Sequence, residues 1–144
     1  AQGVTAAQMN LYYGLAVTAI DGMAFTEQYK QSRLNDPAIF DFISRVSAYV
    51  DPEIEKMGAP YRHAARVKVT AKDGRSVEKL LHHRRGSPEK PLKPEEIEYK
   101  FRNVVSGCVS KADIDKFVAL VGSLDTAAST NELTQLMAKP IINS

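Results

Sequence analysis

The sequence has no tryptophan, a single cysteine and no glycine-rich tract. Each absence closes a class of function. Cys108 has no second cysteine to pair with, so the fold is not a disulfide scaffold, and a lone thiol leans toward a reducing compartment. It is expected as a small buried hydrophobe near a helix junction. The longest apolar stretch, Leu11 to Ile20, falls well short of the roughly 20 residues that a membrane-spanning helix needs. No basic segment precedes it, so neither membrane insertion nor a secretory leader is expected. The 19 basic and 17 acidic residues leave a net charge of +2, which gives no global argument for a nucleic-acid partner. Gly74, Gly86 and Gly107 stand alone and serve turns rather than a phosphate-cradling loop. There is no Gly-x-Ser-x-Gly elbow and no Cys/His nucleophile arrangement. His63 is isolated, and the adjacent His82 and His83 would face opposite sides of a strand. No protein-bound metal is therefore expected, and no cofactor of another kind. These exclusions leave a protein of soluble, cytoplasmic type.

What is present fits one domain, or one domain with appended elements: 144 residues, 44% hydrophobic and 25% charged, with enough apolar material to bury a core. The most informative stretch runs from Ala65 to Phe101. Arg66 to Thr70 alternate polar and apolar, the period of a half-buried strand. Asp73-Gly74 predicts a two-residue hairpin turn, and Ser76 to Leu81 returns as the second strand. The strand runs into His82-His83-Arg84-Arg85 and breaks at Gly86-Ser87-Pro88. After a loop containing Pro91, Pro94 opens a helix at its first turn, where a missing N–H costs nothing. Glu95 and Glu96 sit at the positive end of that helix dipole and Lys100 and Arg102 toward the other.

Before this stretch, Thr5 to Gln8 predict the cap of a helix continuing through Ile20, apolar on most faces and ended by Gly22. Such a helix is buried inside something, and in a chain this small that points to a missing partner surface. Asp36-Pro37 reads as the start of a helix reaching Arg45. Ser47 to Asp51 reads as a short strand stopped by Pro52, and residues 53 to 63 as a loop. After the central stretch, Ser110-x-x-Asp113 forms a capping box for a helix ending at Gly122, and a last helix covers Thr130 to Met137. The expected class is α+β: a small antiparallel sheet that includes the hairpin near 65–81, packed with several helices.

Two features remain as candidate chemistry. The basic run from Lys79 to Arg85 could attract an anion, but it lacks interleaved aromatics, and Glu78, Glu89, Glu95, Glu96 and Glu98 neutralise much of it; a solvated face is the simpler reading. Tyr12-Tyr13 would place phenols at the edge of a buried region. They are either core aromatics with satisfied hydroxyls or hydrogen-bond donors in a cleft, and spacing does not decide.

Two blocks of the sequence resemble the MmgE/PrpD family, which includes 2-methylcitrate dehydratase, cis-aconitate decarboxylase and iminodisuccinate epimerase. In Ala7 to Gly22, Leu11, Tyr13, Ala16, Asp21 and Gly22 fit the family's A-x-x-S-L-x-Y-x-x-A-x-A-L-x-D-G helix, with Asn10 in place of the usual Ser. In the second block, Asp73, Gly74, Arg85, Gly86, Pro88, Pro91, Leu92, Glu96, Lys100 and Phe101 occupy the family's positions, and Asp51-Pro52-Glu53 resembles its stretch before the hairpin.

The resemblance implies a chain several-fold shorter than family members, which combine a large helical domain with a smaller α+β lid and hold their active site between the two. Residues 1–105 would be the lid-type domain. Residues 106–144 would be C-terminal helices that pack on an absent helical domain, or on a homo-oligomeric partner. The implied chemistry is metal-free proton abstraction next to a carboxylate of a small di- or tricarboxylate, ending in dehydration, decarboxylation or epimerisation. Tyr13 would be the catalytic group present here, with Tyr12 as its substrate-binding neighbour, and the chain alone would be inactive. Arg85, beside Arg84, would bind substrate by attracting its anionic groups, a role that no motif of the family carries. The rival expectation is a stand-alone, non-catalytic interaction or small-anion-binding module.

Overall fold

A computed structural model of the chain describes residues 3–141. Helices and one two-stranded sheet make it an α+β protein, as expected. Its contacts divide it into two units: the residues through Arg45 together with those from Pro94 onward, and Val46–Lys93 between them.

The first unit opens with α1 (Val4–Gln8) and α2 (Leu11–Asp21), where the sequence predicts one continuous helix. Asn10 is the reason for the break. Its backbone is extended and its side-chain oxygen accepts from Tyr13 N at 3.1 Å, because a short polar side chain competes with the helical backbone and favours the N-cap. Gly22 ends α2 in the left-handed region. Two short 3₁₀ turns lead to α3 (Pro37–Ile43), opened by Asp36, which accepts from Ala38 N at 2.9 Å. It stops two residues before the expected Arg45. Ala7, Tyr13, Ala16, Val17, Leu34 and Ile39 form the core.

The rest of this unit is α5 (Pro94–Val105), α6 (Lys111–Gly122) and α7 (Asn131–Met137). Phe101 on α5 stacks on Phe117 of α6 with centroids 4.7 Å apart, and Arg102 joins Glu98 to Asp115 across the same pair. Ser110 caps α6 as predicted. Lys116 pairs with Glu132 at 2.7 Å and ties α7 to α6. Tyr99 packs on Phe25, centroids 6.0 Å apart, and so connects the two chain segments of the unit. Cys108 is exposed, not buried, because it lies on the turn between α5 and α6.

In the second unit, β1 (Ala65–Thr70) and β2 (Ser76–Leu81) pair antiparallel, with Val69 opposite Val77. The connection is three residues rather than the predicted two. Ala71 N bonds to Arg75 O at 2.8 Å and Gly74 N to Ala71 O at 3.0 Å, the pattern of a turn closed by a left-handed glycine. Gly74 has φ +86 and open space around its absent Cβ. Gly74→Val therefore costs backbone strain alone, about 1–2 kcal/mol, read as a shift in the denaturation midpoint of the hairpin signals; Gly74→Asn should cost less.

Ser47 to Asp51 is not a strand. Among the described residues it has no partner strand, and Tyr49 and Val50 are exposed. Asp51 instead caps a helix, α4 (Pro52–Lys56), accepting from Glu53 N at 2.9 Å, and a 3₁₀ turn at Ala59–Tyr61 follows. The predicted loop over 53–63 is thus partly helical. Arg66 on β1 fastens α4 to the hairpin: it binds Asp51 at 2.7 Å, Glu78 at 3.1 Å and Glu53.

Candidate functional site

Tyr13 projects from the first turn of α2 into the core and is 3% exposed. Its hydroxyl donates to Gln28 O at 2.8 Å, and its ring lies 5.5 Å from that of Tyr29. Burial raises the phenol above its ordinary pKa, against the opposing pull of the Arg33 guanidinium, so at neutral pH Tyr13 is protonated. It can donate a proton or a hydrogen bond; it is no base.

A polar network surrounds it. The Asp21 carboxylate accepts from Arg33 through both oxygens, at 3.0 and 3.1 Å, and from Gln28 Nε2 at 3.1 Å. Arg33 also binds Asp36, and Gln28 Oε1 accepts from Phe25 N at 3.1 Å. Asp21 thus locks the 3₁₀ turn that carries the Tyr13 acceptor. Sequence reasoning missed Gln28 and Arg33, which sit on no periodic pattern. Asn10 is explained as well: the position is an N-cap, a task that Ser and Asn perform about equally.

Tyr12, next on the helix, is half-buried. The other side of α2 is apolar and uncovered. Met9 is 84% and Leu11 59% exposed, and with Leu15 and Ala24 they line a shallow groove floored by Gly14 and Thr18.

Arg85 is exposed and belongs to the second unit, whereas Tyr12 and Tyr13 belong to the first. Around Arg85 the chain turns sharply: Lys90 N bonds to Ser87 O at 3.0 Å and Gly86 N to Lys90 O at 2.8 Å. His82 and His83 do not point to opposite sides. They lie just beyond β2, and both rings pack on Tyr61, at 5.5 and 5.7 Å. Strand alternation no longer governs them there. Among the described residues no group of three or more His, Cys, Asp or Glu could hold a metal ion, and no helix is long and apolar enough to cross a membrane.

Comparison with known proteins places this geometry. A cis-aconitate decarboxylase-like protein of Aspergillus oryzae, oryM, is 27% identical over 134 residues, covering 93% of this chain and 27% of that protein. Human cis-aconitate decarboxylase is 24% identical over 135 residues, with the same coverage of 93% and 27%. The chain therefore spans about a quarter of the length of these relatives. The model of the MmgE/PrpD C-terminal domain matches residues 2–126, and so the uncovered α2 helix, the hairpin and the Arg85 turn belong to a chain of the MmgE/PrpD C-terminal domain family.

Proposed function

We propose that this chain is the C-terminal part of a larger cytoplasmic lyase or isomerase that acts on small di- or tricarboxylates, and that it is inactive without the remainder. The observation that carries this reading is the two-sided apolar character of α2. One side buries Tyr13, Ala16 and Val17 in the unit's own core; the other leaves Leu11 and Leu15, with Met9 from the turn before the helix, lining an open groove. A helix apolar on both sides is built to be covered on both. The relatives' greater length supplies an occupant, a further domain of the same protein. The relatives' names support the carboxylate class.

In this reading Tyr13 is the catalytic donor: the neutral phenol hydrogen-bonds to a substrate carboxylate or to the enolate that forms when a neighbouring carbon loses its proton. Its bond to Gln28 O must then be exchanged for one to substrate. Tyr12, next to it on α2 and less buried, contacts another of the substrate's carboxylates. Arg85, in the second unit, is assigned to anion recognition in its own right, its guanidinium fork matching a carboxylate in two bonds.

The test is turnover of cis-aconitate and of 2-methylcitrate by this chain alone and by the longer enzyme that contains it. The chain alone should turn over neither. In the longer enzyme Tyr13→Phe should lower kcat on the order of 100-fold. It should also lower stability by about 1 kcal/mol, because Gln28 O loses its partner; the folded fraction is therefore measured alongside. Turnover by the chain alone would remove the inactivity claim, and unchanged kcat in Tyr13→Phe would remove Tyr13 from the chemistry.

A further inference from the structure

The second unit holds a cluster that the carboxylate reading does not use. His63 Nε2 lies 3.2 Å from Arg62 Nε and 3.1 Å from Arg84 Nη1. A guanidinium only donates and stays charged at any accessible pH. His63 Nε2 therefore stands as the acceptor toward both guanidinium groups. Two cations from positions far apart in sequence converge on one ring nitrogen, and the Arg84 charge also acts on the Glu89 carboxylate.

Beside them Ser87 is 9% exposed, and its Oγ is buried without completing a hydrogen bond. Buried hydroxyls are nearly always satisfied, so an exception calls for an explanation. Arg62, His63, Arg84 and Ser87 line a single cleft of about 310 Å³, and the Tyr61–His82–His83 ring cluster stands against it. Glu89 is the one carboxylate in the lining. It lies 3.8 Å from His83 Nδ1, and the Ser87 hydroxyl beside it, then His83 and Arg84, hold its carboxyl below the usual carboxylate range.

We propose that this cleft binds a compact, multiply charged oxyanion, a phosphate or a polycarboxylate, between the Arg62 and Arg84 guanidinium groups with the Ser87 hydroxyl donating to it. The anion replaces His63 as the shared acceptor and relieves the repulsion of two like charges held close together. Each guanidinium presents parallel N–H groups that fit two oxygens of one anionic group. The small volume favours a free ion or small molecule over a nucleic-acid strand. The site stands on the second unit's own residues and does not rest on the lyase reading, so either can fail without the other.

The test follows the His63 ring and hairpin amide signals by NMR in the 144-residue chain, titrated with sodium phosphate and, separately, with citrate, in about 50 mM NaCl to limit screening. We expect saturable His63 shifts with a Kd on the order of 1 mM or tighter for at least one of the two. A response to phosphate alone assigns a phosphate site, to citrate alone a polycarboxylate site, and to both a general oxyanion site. Arg62→Gln and Arg84→Gln should each weaken binding at least about tenfold, consistent with loss of a charge-assisted bond. Arg84→Lys, which keeps the charge and loses the fork, should fall between. Lys72→Gln in the hairpin turn should leave the Kd unchanged. The proposal is overturned if neither anion moves His63 up to about 20 mM, or if Arg84→Gln, with hairpin signals intact, binds as the parent does.

Discussion

Ile39→Ala should lower the stability of the first unit by about 3 kcal/mol. Ile39 is completely buried, as are Leu34 and Val17 in the same cluster. Removing three carbons loses their transfer free energy and leaves a cavity that flanking helices close only in part. Two circumstances push the cost upward. The helix α3 has seven residues, too few to be stable by itself, so its formation depends on the anchor it buries. The cavity would also adjoin the core that holds Tyr13, whose hydroxyl fixes the 3₁₀ turn through Gln28. Ile39→Val should cost only about 1 kcal/mol. Ile97→Ala, at a position 56% exposed, should cost well under 1 kcal/mol. Urea unfolding checks the series, with the midpoint falling and the slope unchanged. Equal costs at positions 39 and 97 would show that Ile39 is not the anchor.

Arg66→Met should loosen the second unit and change its response to acid. The guanidinium serves Asp51, Glu53 and Glu78 at once, and the Asp51 side chain is only 14% exposed. Removing the cation leaves a partly buried carboxylate without its partner, which is more damaging than losing an exposed surface pair. The thermal midpoint of the hairpin signals should drop by roughly 5 °C. Arg66, first of all, and then the Glu53 and Ile54 amides hold the Asp51 carboxyl below its usual value. Its ionised form is thus favoured by folding. The resulting stability is present above the unfolded value, near 3.8, and is lost as pH falls through the lower folded value. Arg66→Met should flatten that acid dependence, and Asp51→Asn in the Arg66→Met background should then add less than it does alone. Full additivity would mean that the two side chains do not act together.

Local signals were legible where the cause is local. Asp36-Pro37, Ser110-x-x-Asp113 and Gly22 mark helix ends because capping depends on one side chain and the next few amides. The hairpin was legible from alternation, but not the length of its turn, since Asp73-Gly74 suits either a two- or a three-residue connection. Asn10 was read as a helical residue because its neighbours are apolar, and only its own side chain reveals the break. Ser47 to Asp51 has strand-like residues, yet a strand exists only with a partner; Asp51 was diverted into capping α4. The site was less legible. Tyr13 stood out by its neighbourhood, while its acceptor Gln28 and the Asp21–Arg33 pair join residues 7 to 15 positions apart, a distance at which no periodicity operates. Arg62 goes unremarked in a stretch that reads as a loop and His63 stands as an isolated histidine, although Arg62 and Arg84 bring their two guanidinium groups together on His63 in the second unit's cleft.

The division of the chain also sets an order of events during synthesis. The second unit is one continuous stretch, Val46–Lys93, and its strands pair across a turn of a few residues, so it can close early and quickly. The first unit is discontinuous: Phe25 meets Tyr99, more than seventy positions later. Until the ribosome has delivered α5, the α1–α3 segment waits with one side of its surface unfinished. A circular permutation that made the first unit continuous should therefore speed its folding while leaving the hairpin's rate alone.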